Sequence, residues 1–148
     1  MATSKTTFNI YSYSMRFNGV PLARVTIGGK HFNFLVSTDE VFNAITFEVW
    51  REIQKECSVC ATEHIVYDGD SLVTLIAEVP FECKKIEYLE KFAVVPDLSK
   101  VQNMTNYTFF SCHGILSSRF LLKHKWVIDY GKRRIYAYKA KKTKSSRK

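Results

Sequence analysis

Gly28-Gly29-Lys30-His31-Phe32-Asn33-Phe34-Leu35-Val36-Ser37-Thr38-Asp39 is the stretch on which the reading of this chain turns. Just before it, Ala23, Val25 and Ile27 alternate with Arg24 and Thr26. Within it, Phe32, Phe34 and Val36 alternate with His31 and Asn33. A period of two belongs to strands with one buried and one open face. Gly28-Gly29, followed by Lys30, supplies the positive φ of a tight hairpin turn. The stretch therefore predicts a β-hairpin that runs into a short polar loop, Ser37-Thr38-Asp39. A short apolar strand, Val41 to Ile45, is expected after it.

Further along, Thr46 is placed to cap a helix and Glu48 to sit near its positive end. Phe47, Trp50 and Ile53, three apart, are expected to form the face that packs on a sheet. Asp68-Gly69 is the strongest turn signal in the chain. Flanked by Ile65-Val66-Tyr67 and Leu72 to Ile76, it predicts a second hairpin. Phe92 to Val95 reads as a strand ended by Pro96, and Ser99 to Cys112 as a loop. Phe120 to His124 suggests a short helix. Trp126 to Tyr130 and Arg134 to Tyr138 suggest strands around a Gly131-Lys132 turn. No internal repeat is visible. The order predicts a small, mainly β fold, closed or sandwich-like, with one or two short helices.

The length of 148 residues suits one domain, and 46% hydrophobic residues suffice for one packed core. Of the net charge of +8, six positive charges lie between Lys139 and Lys148, which leaves +2 on the other 138 residues. The expected division is an N-terminal extension or edge strand over 1–20, the folded domain over 21–138, and a basic disordered tail over 139–148. Nucleic acid is not the expected partner: the body carries no recognised nucleic-acid motif, and the basic tail would bind a polyanion at most non-specifically. No membrane span and no signal-peptide run are present, and the four cysteines make no disulfide framework. The cytoplasm is the expected location.

A second stretch completes the reading. Gly114-Ile115-Leu116-Ser117-Ser118-Arg119-Phe120-Leu121 is followed by Trp126-Val127-Ile128-Asp129-Tyr130 and Arg133-Arg134-Ile135-Tyr136. Taken with the first stretch, it resembles the retropepsin-like aspartic proteases. In that family a hairpin runs into Asp-Thr-Gly, a flap hairpin follows, and a Gly-Ile-Leu-Gly segment leads to a helix and a closing hairpin. The likeness covers roughly residues 20 to 140, and the ending is nearer the bacterial single-domain members. It implies a closed β-barrel, with Tyr67, Asp68, Gly69 and Asp70 at the flap and edge of a peptide groove.

The departures fall at the motifs. Against Asp-Thr-Gly the chain has Ser37, Thr38 and Asp39. Ser117 stands for a glycine, and Arg119 for the usual Asp or Asn. Aspartic proteolysis needs two carboxylates sharing one proton, and a serine hydroxyl is no acid near neutral pH. The resemblance thus implies a catalytically dead protease fold that keeps a groove for a peptide or protein ligand. The alternative is a peptidase with a divergent site that uses Asp39. Because the family's two loops meet at a twofold axis, paired Asp39 charges imply a monomer or a weak homodimer.

Other features receive plainer readings. Cys57 and Cys60, with His64 beyond them, have the spacing of half a zinc site, but no second pair completes it, so no metal or other cofactor is expected. His113 is the nearest candidate base for Ser37, and it is read as a structural histidine. Tyr11 and Tyr13 are read as core. Asn103 to Thr105 and Asn106 to Thr108 are read as chance matches to a glycosylation pattern.

Overall fold

The computed structural model describes residues 5–10, 20–38, 40–67, 69–98 and 112–140. Its first hairpin is the expected one. Strand β2 (Leu22–Ile27) pairs antiparallel with β3 (Lys30–Val36) across Gly28 and Gly29, whose φ values are +55° and +82°. The alternation is borne out in burial: Ala23, Val25, Ile27, Phe32, Phe34 and Val36 are all buried. Leu35, on the other face of β3, is buried as well. Both faces of this strand are therefore covered, as befits one with a parallel neighbour.

That neighbour is β8 (Gly114–Leu116), aligned Phe34 to Gly114 and Val36 to Leu116. On its other side β8 runs antiparallel to β4 (Asn43–Thr46), and β4 runs parallel to β7 (Ile86–Val95). Strand β6 (Asp70–Cys83) pairs with β7 and meets β2 at Thr26 and Glu82. The ring β2-β3-β8-β4-β7-β6 is thus a closed six-stranded barrel. β5 (Ser58–Tyr67) extends the sheet outward from β6, and the pair turns at position 69 with Tyr67 opposite Asp70. A three-stranded sheet lies beside the barrel. In it β10 (Arg134–Ala140) separates β1 (Lys5–Ile10) from β9 (Val127–Asp129). β10 runs two residues into the basic segment, and residues 141–148 lie outside the described ones.

Helix α1 (Phe47–Ile53) is capped as expected, with the Val49 N–H donating to Thr46 Oγ at 3.3 Å. Its buried face is Val49 and Ile53, with Trp50 partly covered, while Phe47 is 47% exposed. The expected face fails for a geometric reason. At 3.6 residues per turn, Phe47 points about 120° away from Ile53, whereas Val49 points only about 40° away. The strand before α1 starts two residues later than expected, at Asn43, and Val41 is 55% exposed. The strand expected over Phe92 to Val95 begins six residues earlier, at Ile86.

That early start makes a third hairpin, β6–β7, whose turn is Lys84-Lys85 with φ of +52° and +65°. Two lysines in left-handed conformation give no turn signal. The second short helix, α2 (Ser118–His124), ends on another lysine of this kind, Lys125 at φ +57°, whose N–H reaches the Leu121 carbonyl. Glycine meets no Cβ penalty there. Lys125→Gly is expected to raise stability by about 0.5–1 kcal/mol, after the entropy glycine loses on folding. A denaturant midpoint that falls instead would contradict this.

The main core gathers Phe34, Phe81, Phe92 and Phe120 with Tyr88 and Trp126. Their rings meet at edge, tilted or stacked geometry, and the Trp126 indole N–H donates to the Tyr88 hydroxyl at 3.2 Å. That contact ties the end of α2 to the β6–β7 hairpin. A smaller cluster on the other side of β3 contains Leu35, Ala44 and Ile115, against which Ile65 and Leu72 of the β5–β6 hairpin pack. No helix among the described residues is long and apolar enough to cross a membrane.

Candidate functional site

The two sequence stretches meet where β3 and β8 end together. The Ser37 N–H donates to the Leu116 carbonyl at 2.9 Å, extending the parallel ladder by one bond. The backbone then loops through Thr38, which is exposed, to Glu40. Glu40 is held from the far side. Its carbonyl accepts from the Ser118 N–H at 2.9 Å and from the Ser118 hydroxyl at 3.0 Å. The motif loop is therefore fastened at both ends by the second motif. Asp39 lies outside the described residues.

Of the residues read from the sequence, the structure joins Ser37 and Thr38 to Gly114, Ile115, Leu116 and Ser117. Ser117 is buried, and its hydroxyl accepts from the Phe120 N–H at 3.3 Å, capping α2. A glycine has no side chain to cap with, so the residue at this position now serves the helix. Arg119 parts from this group. It is exposed and lines a different cleft from Thr38. Gly69 and Asp70 sit at the tip of the β5–β6 hairpin, with Gly69 at φ +84°. Asp68 lies outside the described residues, as does the side chain of Tyr67. The packing of Ile65 and Leu72 beside Leu35 and Ile115 holds the hairpin's stem against the motif strands.

Sequence reasoning missed Asn43. It is 7% exposed, yet its amide serves two backbones. Nδ2 donates to the Lys91 carbonyl at 3.1 Å, and Oδ1 accepts from the Ser117 N–H at 2.9 Å. One side chain thus binds β4, β7 and the start of α2. An asparagine in an apolar run was the available signal, since a buried amide must find partners.

Two clefts border this junction. The first, of about 650 Å³, lies beside Thr38 and Ser118 and is walled by Leu121, Leu122, Trp126 and Ile128. Leu122 is 81% exposed there, so its wall is open and apolar. The second, of about 430 Å³, lies between the β5–β6 hairpin, β7 and α2.

His113 is held by β3 in a structural role, as read. Its Nδ1 accepts from the Asn33 N–H at 2.9 Å, its own N–H donates to the Asn33 carbonyl, and its ring stands edge-on to Phe32. Ser37 lies four residues beyond Asn33, just past the end of β3, about 13 Å away at strand rise. Burial holds the imidazole below its usual value. A depressed value means stability that is present above the unfolded value of about 6.5 and lost as pH falls below it. Between pH 7 and 5 the melting temperature is expected to drop more in the wild type than in His113→Asn, which keeps an acceptor but does not titrate. Equal drops would contradict this.

The cysteines do not gather. Cys57 donates to the Ile53 carbonyl at 3.3 Å, while Cys60 is exposed on β5 and His64 contacts Ser71. Burial raises the Cys57 and Cys112 thiols to about 11 and Cys83 to about 12, which keeps them protonated near neutral pH. Among the described residues no group of three or more His, Cys, Asp or Glu is placed to hold a metal. Tyr11, Tyr13, the 103–108 segment and nearly all of the expected 99–112 loop lie outside the described residues.

No family model and no curated protein matches the sequence. Solved structures do match in shape. A retropepsin-like aspartic protease from Rickettsia conorii superposes with a TM-score of 0.59 at 16% identity, over 94% of this chain and 95% of that one. EIAV protease complexed with the inhibitor HBY-793 superposes with a TM-score of 0.53 at 15% identity, over 76% of this chain and 93% of that one. At such identities the likeness is one of fold. The chain is a mainly β barrel of the retropepsin-like, aspartic-protease type.

Proposed function

We propose that this chain is a catalytically inactive aspartic-protease-like domain that binds an extended peptide or protein segment. The observation that carries the reading is the junction itself. The loop holding Ser37 and Thr38 is tied down by Ser118, and Ser117 caps the adjoining helix. The second-motif serines are engaged in holding backbone, and position 37 carries a hydroxyl where the resemblance expects a carboxylate. What persists is a hairpin held against the motif strands, with open clefts on both sides of α2. Walls of strand and hairpin suit an extended ligand. Function argued from a fold is analogy, so the test must separate binding from cleavage.

Oxidised insulin B chain is incubated with wild type and Asp39→Asn between pH 4 and 7, and products are read by mass spectrometry. No cleavage by either protein is expected. Amide shifts at Thr38, Gly69 and Asp70 on adding the peptide are expected in both. Cleavage by wild type that disappears in Asp39→Asn would overturn the inactive reading in favour of a divergent peptidase. The same reading has the protein a monomer or weak homodimer, which light scattering measures. A tight dimer with Thr38 of both copies in contact would contradict it.

A further inference from the structure

The second cleft is built unlike the first. Its floor is apolar, with Phe42, Ile65, Ile76 and Leu89 among its lining residues, and Leu89 is 55% exposed. Its rim is charged, and the charges divide by element. Lys123 on α2 is neutralised by Glu90 at 3.1 Å, which also contacts His124 at 2.7 Å. Glu78 on β6 and Lys91 on β7 make no ion pair among the described residues, but they stand opposite each other in the strand register, so each has an opposite charge as its cross-strand neighbour. Two other charges line the cleft. Glu63, on the hairpin wall, and Arg119, on the helix wall, are exposed and make no ion pair among the described residues.

Glu63 and Ile65 share one face of β5, two residues apart, and Ile76 and Glu78 share one face of β6. The hairpin therefore presents an apolar strip with an acid beside it, and the helix presents a base across the gap. A cleft of about 430 Å³ falls within the range that buries a small ligand. An apolar ligand alone would leave both charges unanswered. An anion alone would meet Glu63, and a cation alone would meet Arg119.

We infer that this cleft is the specificity-determining part of the peptide site. Its ligand is an extended peptide with an aliphatic side chain on the floor, a basic side chain toward Glu63 and an acidic side chain toward Arg119. The inference rests on the peptide-binding reading above and adds the charge pattern of the ligand. Opposed charges on two walls also fix the direction of the bound chain, because reversing it sets like against like.

The test uses the full chain and two fluorescein-labelled peptides with blocked ends, Lys-Ser-Leu-Leu-Ser-Glu and Glu-Ser-Leu-Leu-Ser-Lys, read by fluorescence anisotropy. A neutral peptide, Ser-Ser-Leu-Leu-Ser-Ser, is the control. One charged order is expected to bind about fivefold or more tighter than the other, the size of a partly screened charge contact at each end. Glu63→Arg and Arg119→Glu each weaken the preferred peptide by about fivefold, and the double variant prefers the opposite order. Both side chains are exposed, so folding should survive, and circular dichroism checks it. Binding of all three peptides with equal strength, unmoved by either substitution, would overturn the charge assignment while leaving the peptide-binding reading standing. Binding of none would overturn both.

Discussion

Gly114→Ala is expected to lower stability by about 3 kcal/mol, roughly 10 °C in melting temperature for a chain of this size. A Cβ at position 114 would lie 2.7 Å from the Ala44 carbonyl oxygen and 2.9 Å from the Phe34 ring. Neither can give way. Phe34 is fully buried among aromatic rings, and the Ala44 backbone belongs to β4, which pairs with β8 on one side and β7 on the other. The strain falls where β8 is squeezed between a parallel and an antiparallel neighbour. Because Gly114 also sets the register of the second motif on β3, the motif loop should loosen with it. Amide exchange at Ser37, whose N–H binds the Leu116 carbonyl, reports this. A variant as stable as wild type would mean that β8 shifts freely, contrary to the tight packing described.

Asn43→Ala should cost about as much, roughly 2–4 kcal/mol, by a different route. It removes no large apolar surface. It strands the Ser117 N–H and the Lys91 carbonyl without their amide partner. Asn43→Asp separates the two bonds. The carboxylate still accepts from the Ser117 N–H, but it faces the Lys91 carbonyl with no proton to donate. Burial and that carbonyl are expected to raise the new carboxyl above its unfolded value, and protonation restores the donor. The destabilisation is therefore largest at neutral pH and is relieved as pH falls through the raised value. Urea midpoints at pH 7 and 4.5 measure it. An Asn43→Asp deficit that grows toward acid would refute the assigned bonds.

Both residues show how far the sequence could be read. The barrel's first hairpin was legible because alternation and paired glycines state a strand period and a turn in local terms. The hairpin at Asp68-Gly69 was legible for the same reason. The β6–β7 hairpin was not, because Lys84 and Lys85 take the left-handed conformation that the two-residue turn between Cys83 and Ile86 requires, and lysine is not a residue that signals such a turn. The face of α1 was misread because three-residue spacing drifts around a helix, and which part of that arc meets the core depends on where the sheet lies. At the candidate site, the resemblance picked out both motifs, but their pairing through β3 and β8 came only from the fold. The roles of Ser117, Ser118 and Asn43 were not legible either, since each makes a hydrogen bond to a residue distant in sequence or to a helix end whose position the chain alone leaves open.

Ser37, Thr38 and Asp39 at the end of an alternating strand, and the serines after Ile115 and Leu116, are properties of the chain before it folds. They settle which chemical groups the two motifs carry, because side-chain identity needs no partner. Folding decides what those groups touch. It leaves His113 tied to Asn33 far along the strand from Ser37, and it turns Ser118 onto Glu40. It also places Arg119 on a different cleft from Thr38. Those outcomes depend on contacts made across dozens of residues, where the closure of a barrel, rather than any local preference, chooses which side chains meet.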